Sequence, residues 1–222
     1  MRAKKTTNKN DTSTKKRAAK VTNRKVPKTA TKGIYNGLEY DSLDELGMLQ
    51  WLFELKNQGF IKSIKRSMSY LLSDDLTNNF AEPVKKGNSS KPATQCLLRG
   101  HSYTAEFDIC WDWTKAKDKF VWDQNSHTKF EKLFIGEFNR NHNEIATVIE
   151  VKPSFDQNNM ERLFKLNQKW MWDKYKIFVN LVKINDLFPK TFVPKAYLTT
   201  PTGRPRVLKY KARTLFNYIN NK

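Results

Sequence analysis

The sequence predicts an α/β domain in which a mixed central sheet is flanked by helices. Residues 145–152 form the clearest strand pattern in the chain, an apolar run that ends in Glu150 and Lys152. A helical pattern follows from about 156 to 175, and a second apolar strand occupies 176–182. A strand, a helix and a strand in that order favour a parallel crossover unit.

Turn and capping signals predict the remaining elements. Asn36-Gly37 is a strong hairpin signal within residues 34–40. Ser42 is expected to begin a helix that runs to about Asn57 and stops near Gly59. We predict a long polar loop over 73–93, because Asn, Gly, Ser and Pro are frequent there. The other predicted strands are 60–72, 94–99, 102–112, 119–123 and 131–137.

The charge is strongly positive and unevenly distributed. The chain of 222 residues has 41 Lys and Arg against 22 Asp and Glu, a net charge of +19. Residues 1–32 carry 12 of the basic residues, a single acid and almost no large apolar side chain. We therefore predict a disordered basic tail over 1–32, either a nucleic-acid arm or a solubilising segment, and one domain over 33–222. A field of this sign predicts a nucleic-acid partner.

Several classes of protein are disfavoured by the sequence. Cys96 and Cys110 do not make a disulfide framework, and with His101 they do not match a zinc pattern. No apolar run approaches the length of a transmembrane helix, and the basic N-terminus lacks the apolar core of a signal peptide. We therefore expect no membrane partner and a cytoplasmic location, in the host cell if the chain is phage-encoded.

Carboxylates lie on two of the predicted strands. Glu106 and Asp108 share one face of the strand 102–112, because side chains alternate with a period of two. They favour either a solvated face or a cation site. Glu150 and Lys152 share a face at the end of an apolar strand, where unpaired burial would be costly. They form either a surface ion pair or part of a polar site.

The start of the first helix carries a further acid. Ser42-x-x-Glu45 matches a capping box, in which the two side chains bond the free backbone groups of the first turn. Capping is the simpler role for Ser42. It does not prevent Glu45 from taking a second role where the helix opens onto the sheet.

Taken together and in this order, these segments resemble the PD-(D/E)XK nuclease superfamily. The phage-type and transposon-type endonucleases are the most similar branch. The resemblance lies in the stretch from Tyr35 to Glu45, in Tyr103-Thr-Ala-Glu106-Phe107, and in Ile149-Glu150-Val151-Lys152. It covers roughly residues 33–182. The chain departs from the pattern in having Glu106 where Asp is usual. The long gap from there to Glu150 implies an inserted hairpin at about 111–144.

The resemblance implies a restriction-endonuclease-like core and a metal-dependent endonuclease of DNA, with branched or junction DNA among its substrates. Glu106 or Asp108, with Glu150 and the Val151 carbonyl, would hold Mg²⁺, for which Mn²⁺ could substitute. Glu45 would act through water or support a second ion. Lys152 would orient the attacking water or stabilise charge on the phosphate. A double-strand or junction cutter needs two sites, which suggests a homodimer. The alternative is an inactive nuclease-fold protein that binds nucleic acid, in a virion for example.

Two basic segments are candidate DNA contacts. Lys165, Gln168 and Lys169 belong to the helix that follows the 145–152 strand, where a solvated face is an equal alternative. The C-terminal extension, about 201–222, has five basic residues and no acid over its first half: Arg204, Arg206, Lys209, Lys211 and Arg213. We expect these to contact the nucleic-acid backbone or to form a solubilising surface.

Overall fold

The structure is a computed structural model of the chain. It describes residues 32–86, 89–117, 119–126, 133–154, 160–200 and 202–220, and only the backbone of 79–86, 89–93 and 160. The predicted disordered tail therefore lies outside the described residues except for Lys32.

The described residues form ten strands and five α-helices, mixed along the chain. In chain order they are β1 (Gly33–Tyr35), β2 (Leu38–Tyr40), α1 (Leu43–Asn57), β3 (Ile61–Ser73), β4 (Leu76–Lys86), β5 (Ser89–Leu98), β6 (His101–Asp112), α2 (Trp113–Ala116), β7 (Val121–Asp123), β8 (Phe134–Asn139), β9 (Glu144–Val151), α3 (Met160–Tyr175), β10 (Val179–Val182), α4 (Ile184–Lys190) and α5 (Leu215–Asn220). A short 3-10 helix, Lys195–Leu198, follows α4. None of the described helices has both the length and the apolar character needed to span a membrane.

The N-terminal elements follow the turn and capping signals. β1 and β2 pair antiparallel around Asn36 and Gly37, which both have positive φ, as this kind of turn requires. Ser42 is the N-cap of α1, and its Oγ accepts a hydrogen bond from the Glu45 N–H at 3.1 Å. The predicted hairpin, the helix start and the Ser42 half of the capping box are therefore confirmed.

The central sheet is mixed, as predicted. Its strands run in the order β3-β6-β9-β8-β7, and all neighbours along this path are antiparallel except β7 and β8. β10 pairs with β9 in parallel, from Val148 to Val151. The predicted crossover of strand, helix and strand over β9, α3 and β10 is therefore confirmed.

Helices cover both faces of the sheet. α1 and α4 bury their apolar residues against Phe107, Ile109 and Trp111 of β6 and against the odd-numbered residues of β9. α3 packs Phe164 and Met171 into a second cluster with Val148 and Val179. Trp51 lies at the centre of the first cluster, stacked on Phe192, and α1 is buried on several sides as its sequence predicts.

The prediction of a loop over 73–93 was wrong. β4 and β5 pair antiparallel as a two-stranded ribbon outside the central sheet, continuing β3 and β6. The segment predicted as an inserted hairpin, about 111–144, contains α2, β7 and β8. Of these, β7 and β8 run parallel, and β8 instead forms a hairpin with β9.

A buried asparagine joins the two strands that flank one side of β9. The Asn180 amide of β10 accepts a hydrogen bond from Ile135 N–H at 2.9 Å and donates to the Ile135 carbonyl at 2.8 Å. It also donates to the Val148 carbonyl at 3.0 Å. The side chain thereby replaces ladder bonds between β8 and β10, and its polar atoms are satisfied although it is buried.

Candidate active site

The predicted acidic residues meet where β6 separates from β9. The antiparallel pairing of these strands runs from Asp112 to Phe107 and ends opposite Ile149. Beyond that point β9 pairs with β10 on its other side, as far as Val151. On the outer side of β6, Ser67 of β3 lies opposite Glu106 and has a positive φ of 54°. Glu106 therefore lies between a distorted strand and a gap in the sheet.

Glu106 spans this gap with its side chain. Its carboxylate accepts a hydrogen bond from the Val151 N–H at 2.6 Å, in the place where a strand neighbour would otherwise accept it. Burial and the nearby carboxylates of Glu150 and Glu45 raise the pKa of Glu106 to about 8, from 4.5. The Val151 hydrogen bond and Lys152 lower this pKa but do not offset the increase.

Glu45 reaches the same cluster from the first turn of α1. Its carboxylate accepts hydrogen bonds from the Asp41 N–H and the Ser42 hydroxyl, each at 3.0 Å. Arg66 Nη2 lies 2.6 Å from Glu45 Oε2, and both side chains are largely buried. Glu45 therefore bonds the backbone just before the helix and the Ser42 cap, and also holds an ion pair with β3.

Glu150 and Lys152 are paired at the end of β9. Lys152 Nζ donates to one oxygen of the Glu150 carboxylate. The other oxygen accepts a hydrogen bond from the Tyr103 hydroxyl at 2.8 Å. Because of burial and the Glu150 charge, the pKa of Tyr103 is raised well above its usual range, so this hydroxyl remains a donor. Glu150 is 6% exposed, so the surface ion pair considered from the sequence is not what the structure has.

Asp108 lies outside this group of charges. Its carboxylate accepts a long hydrogen bond, 3.4 Å, from the Tyr70 hydroxyl, and Lys65 is the basic residue whose charge acts on it. Burial raises the pKa of Asp108, and its own charge contributes to raising the pKa of Tyr70 to about 12. Of the two acids on β6 that the sequence proposed as metal ligands, Glu106 is therefore the one beside Glu45 and Glu150.

The cluster suits Mg²⁺ in the kind of donor it offers. Glu45, Glu106 and Glu150 present carboxylate oxygens, which hard cations prefer. Glu45 and Glu150 have basic partners, whereas Glu106 is bonded to a backbone N–H and keeps its proton up to about pH 8, so a cation that binds Glu106 would displace this proton. However, across the described part of the chain no three Asp, Glu, His or Cys side chains are grouped closely enough to hold a metal ion as they stand. Metal binding therefore requires these side chains to exchange their present partners.

Arg66 is a site residue that the sequence patterns did not single out. Its guanidinium pairs with Glu45 and lies over the Phe107 ring, 4.9 Å from the ring centroid. Its Nη1 atom is buried and has no hydrogen-bond partner. In the sequence, Arg66 is one of several basic residues in β3, and nothing in its spacing separates it from Lys62 or Lys65.

The predicted DNA-contacting residues have different roles in the structure. Lys165 and Lys169 are exposed on α3, whereas Gln168 donates to the Val179 carbonyl and faces the sheet. Arg213 bonds the carbonyls of Thr191 and Lys190, which satisfies the C-terminal end of α4. In the extension, the exposed residues are Arg204, Lys209 and Lys211, and Arg206 is partly buried.

No protein-family model matches the chain, and neither a curated protein nor a solved structure matches it.

Proposed function

We propose that this protein is a metal-dependent endonuclease that hydrolyses phosphodiester bonds of DNA on a restriction-endonuclease-like core. One observation carries the proposal. Glu106 of β6 lies where two central strands separate, close enough to Glu45 of α1 and Glu150 of β9 for their charges to raise its pKa, and Lys152 is paired with Glu150. A protein that only binds polyanions gains nothing from clustered negative charge.

The residues that would hold the metal are Glu106, Glu150 and the Val151 carbonyl. Glu45 would take part through water or a second ion. When bound, Mg²⁺ or Mn²⁺ would supply Lewis-acid stabilisation of the phosphate and lower the pKa of a bound water. The Val151 N–H and C=O belong to the same strand residue and face the gap together, which brings the carbonyl near Glu106.

Basic side chains of the site have roles that need no metal. Lys152 is paired with Glu150 in this structure, and with substrate bound it would donate to the scissile phosphate instead. Positive charge at this place favours the transition state. The buried Nη1 of Arg66 is a further donor beside the cluster, and it has no hydrogen-bond partner. Both side chains would orient the phosphate and oppose its charge.

The substrate class follows from charge. The chain has a net charge of +19, which attracts a polyanion, and the exposed lysines of α3 belong to the next element after the site strand. DNA, including branched or junction DNA, is the substrate that we propose. Two protomers would place two sites on such a substrate, so we propose a homodimer. Sedimentation that gives only monomer with and without DNA would contradict the homodimer.

The test compares carboxylates inside and outside the cluster. Supercoiled, linear, single-stranded and four-way-junction DNA would be incubated with the protein in Mg²⁺, Mn²⁺ or EDTA. We expect cleavage only with metal, and a loss of about 100-fold or more in Glu106→Gln, Glu150→Ala and Lys152→Ala. Asp108→Asn is the matched control and should retain most activity. Normal cleavage by Glu150→Ala and Lys152→Ala would refute the site, and all variants should still bind DNA.

A second candidate function is nucleic-acid binding without chemistry. The specific observation in its favour is that Glu45 and Glu150 already have basic partners, Arg66 and Lys152. The cluster would then be a structural ion-pair network. Tight DNA binding without cleavage in any metal would support this function and contradict the endonuclease.

A further inference from the structure

A cavity lies away from the acidic cluster, in the C-terminal part of the chain. It measures about 670 Å³ and is enclosed between the 3-10 helix, the start of α4 and residues 205–210. The side chains that matter here are Tyr197, Arg206, Lys209 and Tyr210. No Asp or Glu lines it among the described residues, so the charge inside is positive.

The cavity wall is built by backbone hydrogen bonds. Arg206 N–H donates to the Leu198 carbonyl at 2.8 Å, and Thr199 pairs with Pro205 across a tight turn. Gly203 in this turn has a φ of 78°, which disfavours other residues. These contacts fix the backbone of Arg206 beside the 3-10 helix before any ligand binds.

Arg206 presents a flat cationic surface. Its guanidinium lies over the Tyr197 ring, with Cζ 4.4 Å from the ring centroid. Its Nε is buried and has no hydrogen-bond partner, so a donor is left unsatisfied at the cavity wall. Tyr210 lines the same cavity as Tyr197, and burial raises the pKa of its phenol. The cavity thus combines aromatic rings, a guanidinium plane and a lysine.

The wall of the cavity packs against α1, the helix that carries Glu45. A Cβ atom on Gly47 would lie 3.2 Å from the Tyr197 ring, so the ring packs directly on the α1 backbone two residues after Glu45. Two residues advance a helix by about 3 Å. Successive helical residues are rotated by about 100°, so Glu45 and Gly47 face different sides of α1.

We propose that this cavity binds an unpaired nucleotide of the DNA substrate. The base would stack on the Arg206–Tyr197 pair or on Tyr210, and the phosphate would contact Arg206 and Lys209. The proposal deepens the proposed function, and rests on it for taking DNA as the ligand. It assigns to the enzyme a preference for DNA with a single-stranded segment, such as an overhang or a branch.

The test is a binding measurement on the full chain in EDTA, so that cleavage plays no part. Fluorescence anisotropy would compare a blunt duplex with the same duplex carrying a short single-stranded overhang. We expect Arg206→Ala/Lys209→Ala to weaken binding to the overhang about tenfold or more, and to leave the blunt duplex nearly unchanged. Arg204→Ala/Lys211→Ala removes equal charge from exposed positions of the same segment. This variant should weaken binding to the blunt duplex and to the overhang by the same factor. Equal effects of the two pairs would overturn the proposal.

Further arms separate folding and ligand source. If the Arg206 variant unfolds, Lys209→Ala alone tests the cavity, because Lys209 is exposed and its loss should not disturb the fold. An unchanged preference of Lys209→Ala for the overhang would then count against the cavity. Competition by a free deoxynucleoside monophosphate at micromolar concentration would overturn the assignment to a strand, whereas competition only at millimolar concentration would support it. Cleavage of blunt duplex in Mg²⁺ is measured separately. A protein that prefers overhangs but never cleaves would contradict the proposed function and leave the cavity assignment standing.

Discussion

The Glu106 carboxylate accepts a hydrogen bond from the backbone N–H of Val151 at 2.6 Å, across the gap where β6 leaves β9. A side chain here replaces a strand neighbour, which fixes the position of an otherwise costly buried acid. The same arrangement brings Glu106 beside Glu150 and Glu45, whose charges oppose its ionisation. The geometry that builds the candidate site therefore also destabilises it when no cation is bound.

Glu106→Gln is expected to stabilise the metal-free protein, and more so at high pH. The pKa of Glu106 is about 8 in the folded state against 4.5 ordinarily, so the folded state holds this proton more tightly. The favourable contribution of the bound proton is complete below pH 4.5 and is lost as the pH rises through about 8. Each pH unit between these limits costs at most about 1.4 kcal/mol. Urea unfolding in EDTA at pH 5, 6.5 and 8 would measure the difference.

Glu144→Gln is the control for this pH effect. Glu144 is on β9, is partly exposed, and has its pKa lowered by Lys62, which is the opposite direction. This variant should lose a little stability at neutral pH and gain none. If the free energies of unfolding of Glu106→Gln and wild type differ by the same amount at every pH, the raised pKa is contradicted.

Arg66→Met is expected to destabilise the fold by about 3 kcal/mol, because it leaves the buried Glu45 carboxylate without its basic partner. Met retains an apolar contact with Phe107, so the loss reports mainly on charge. Glu45→Gln/Arg66→Met should recover much of this loss, since no unpaired charge remains. Urea unfolding of both single variants and the double variant forms the cycle. Additive losses would show that the two side chains do not interact.

The sequence predicted those parts of the fold that depend on local patterns. A few neighbouring residues are enough to predict the apolar strands β9 and β10, the turn at Asn36-Gly37 and the Ser42 cap. β4 and the first half of β5 were missed because these segments are polar and contain Pro, and they form strands by pairing with each other outside the central sheet. Strand pairing of this kind leaves no periodicity to detect.

The candidate site was predictable in its acids but not in their partners. Motif order brought Glu45, Glu106 and Glu150 together, and left Asp108 as an alternative to Glu106. The structure separates these two acids through long-range contacts, since Asp108 meets Tyr70, 38 residues away. Arg66 and Arg213 could not be assigned from sequence, because a basic residue in a basic chain carries no sign of whether it faces a glutamate, a carbonyl or solvent.

Asn180→Leu is expected to destabilise the protein by about 3 kcal/mol or more, although the two side chains are similar in size. It removes three hydrogen bonds and leaves buried polar groups of Ile135 and Val148 unsatisfied. Thermal and urea unfolding would measure the loss. Asn141→Leu, in the exposed turn between β8 and β9, is the control and should change stability by no more than about 0.5 kcal/mol. Similar losses in both variants would contradict the bridging role of Asn180.

Lys165→Ala/Lys169→Ala is expected to weaken DNA binding without altering the fold. Both lysines are exposed on α3, which follows the site strand, and neither has a described side-chain partner to lose. If each neutralises one phosphate, removing both should lower the slope of log K against log salt by about 1.8. Anisotropy titrations in EDTA between low and moderate salt would give the slope. Lys115→Ala/Lys117→Ala removes two exposed lysines from the other end of β6 and should leave it unchanged. An equal change of the slope in both double variants would mean that DNA binding depends only on the net charge of the protein. α3 would then not form part of the DNA-binding surface.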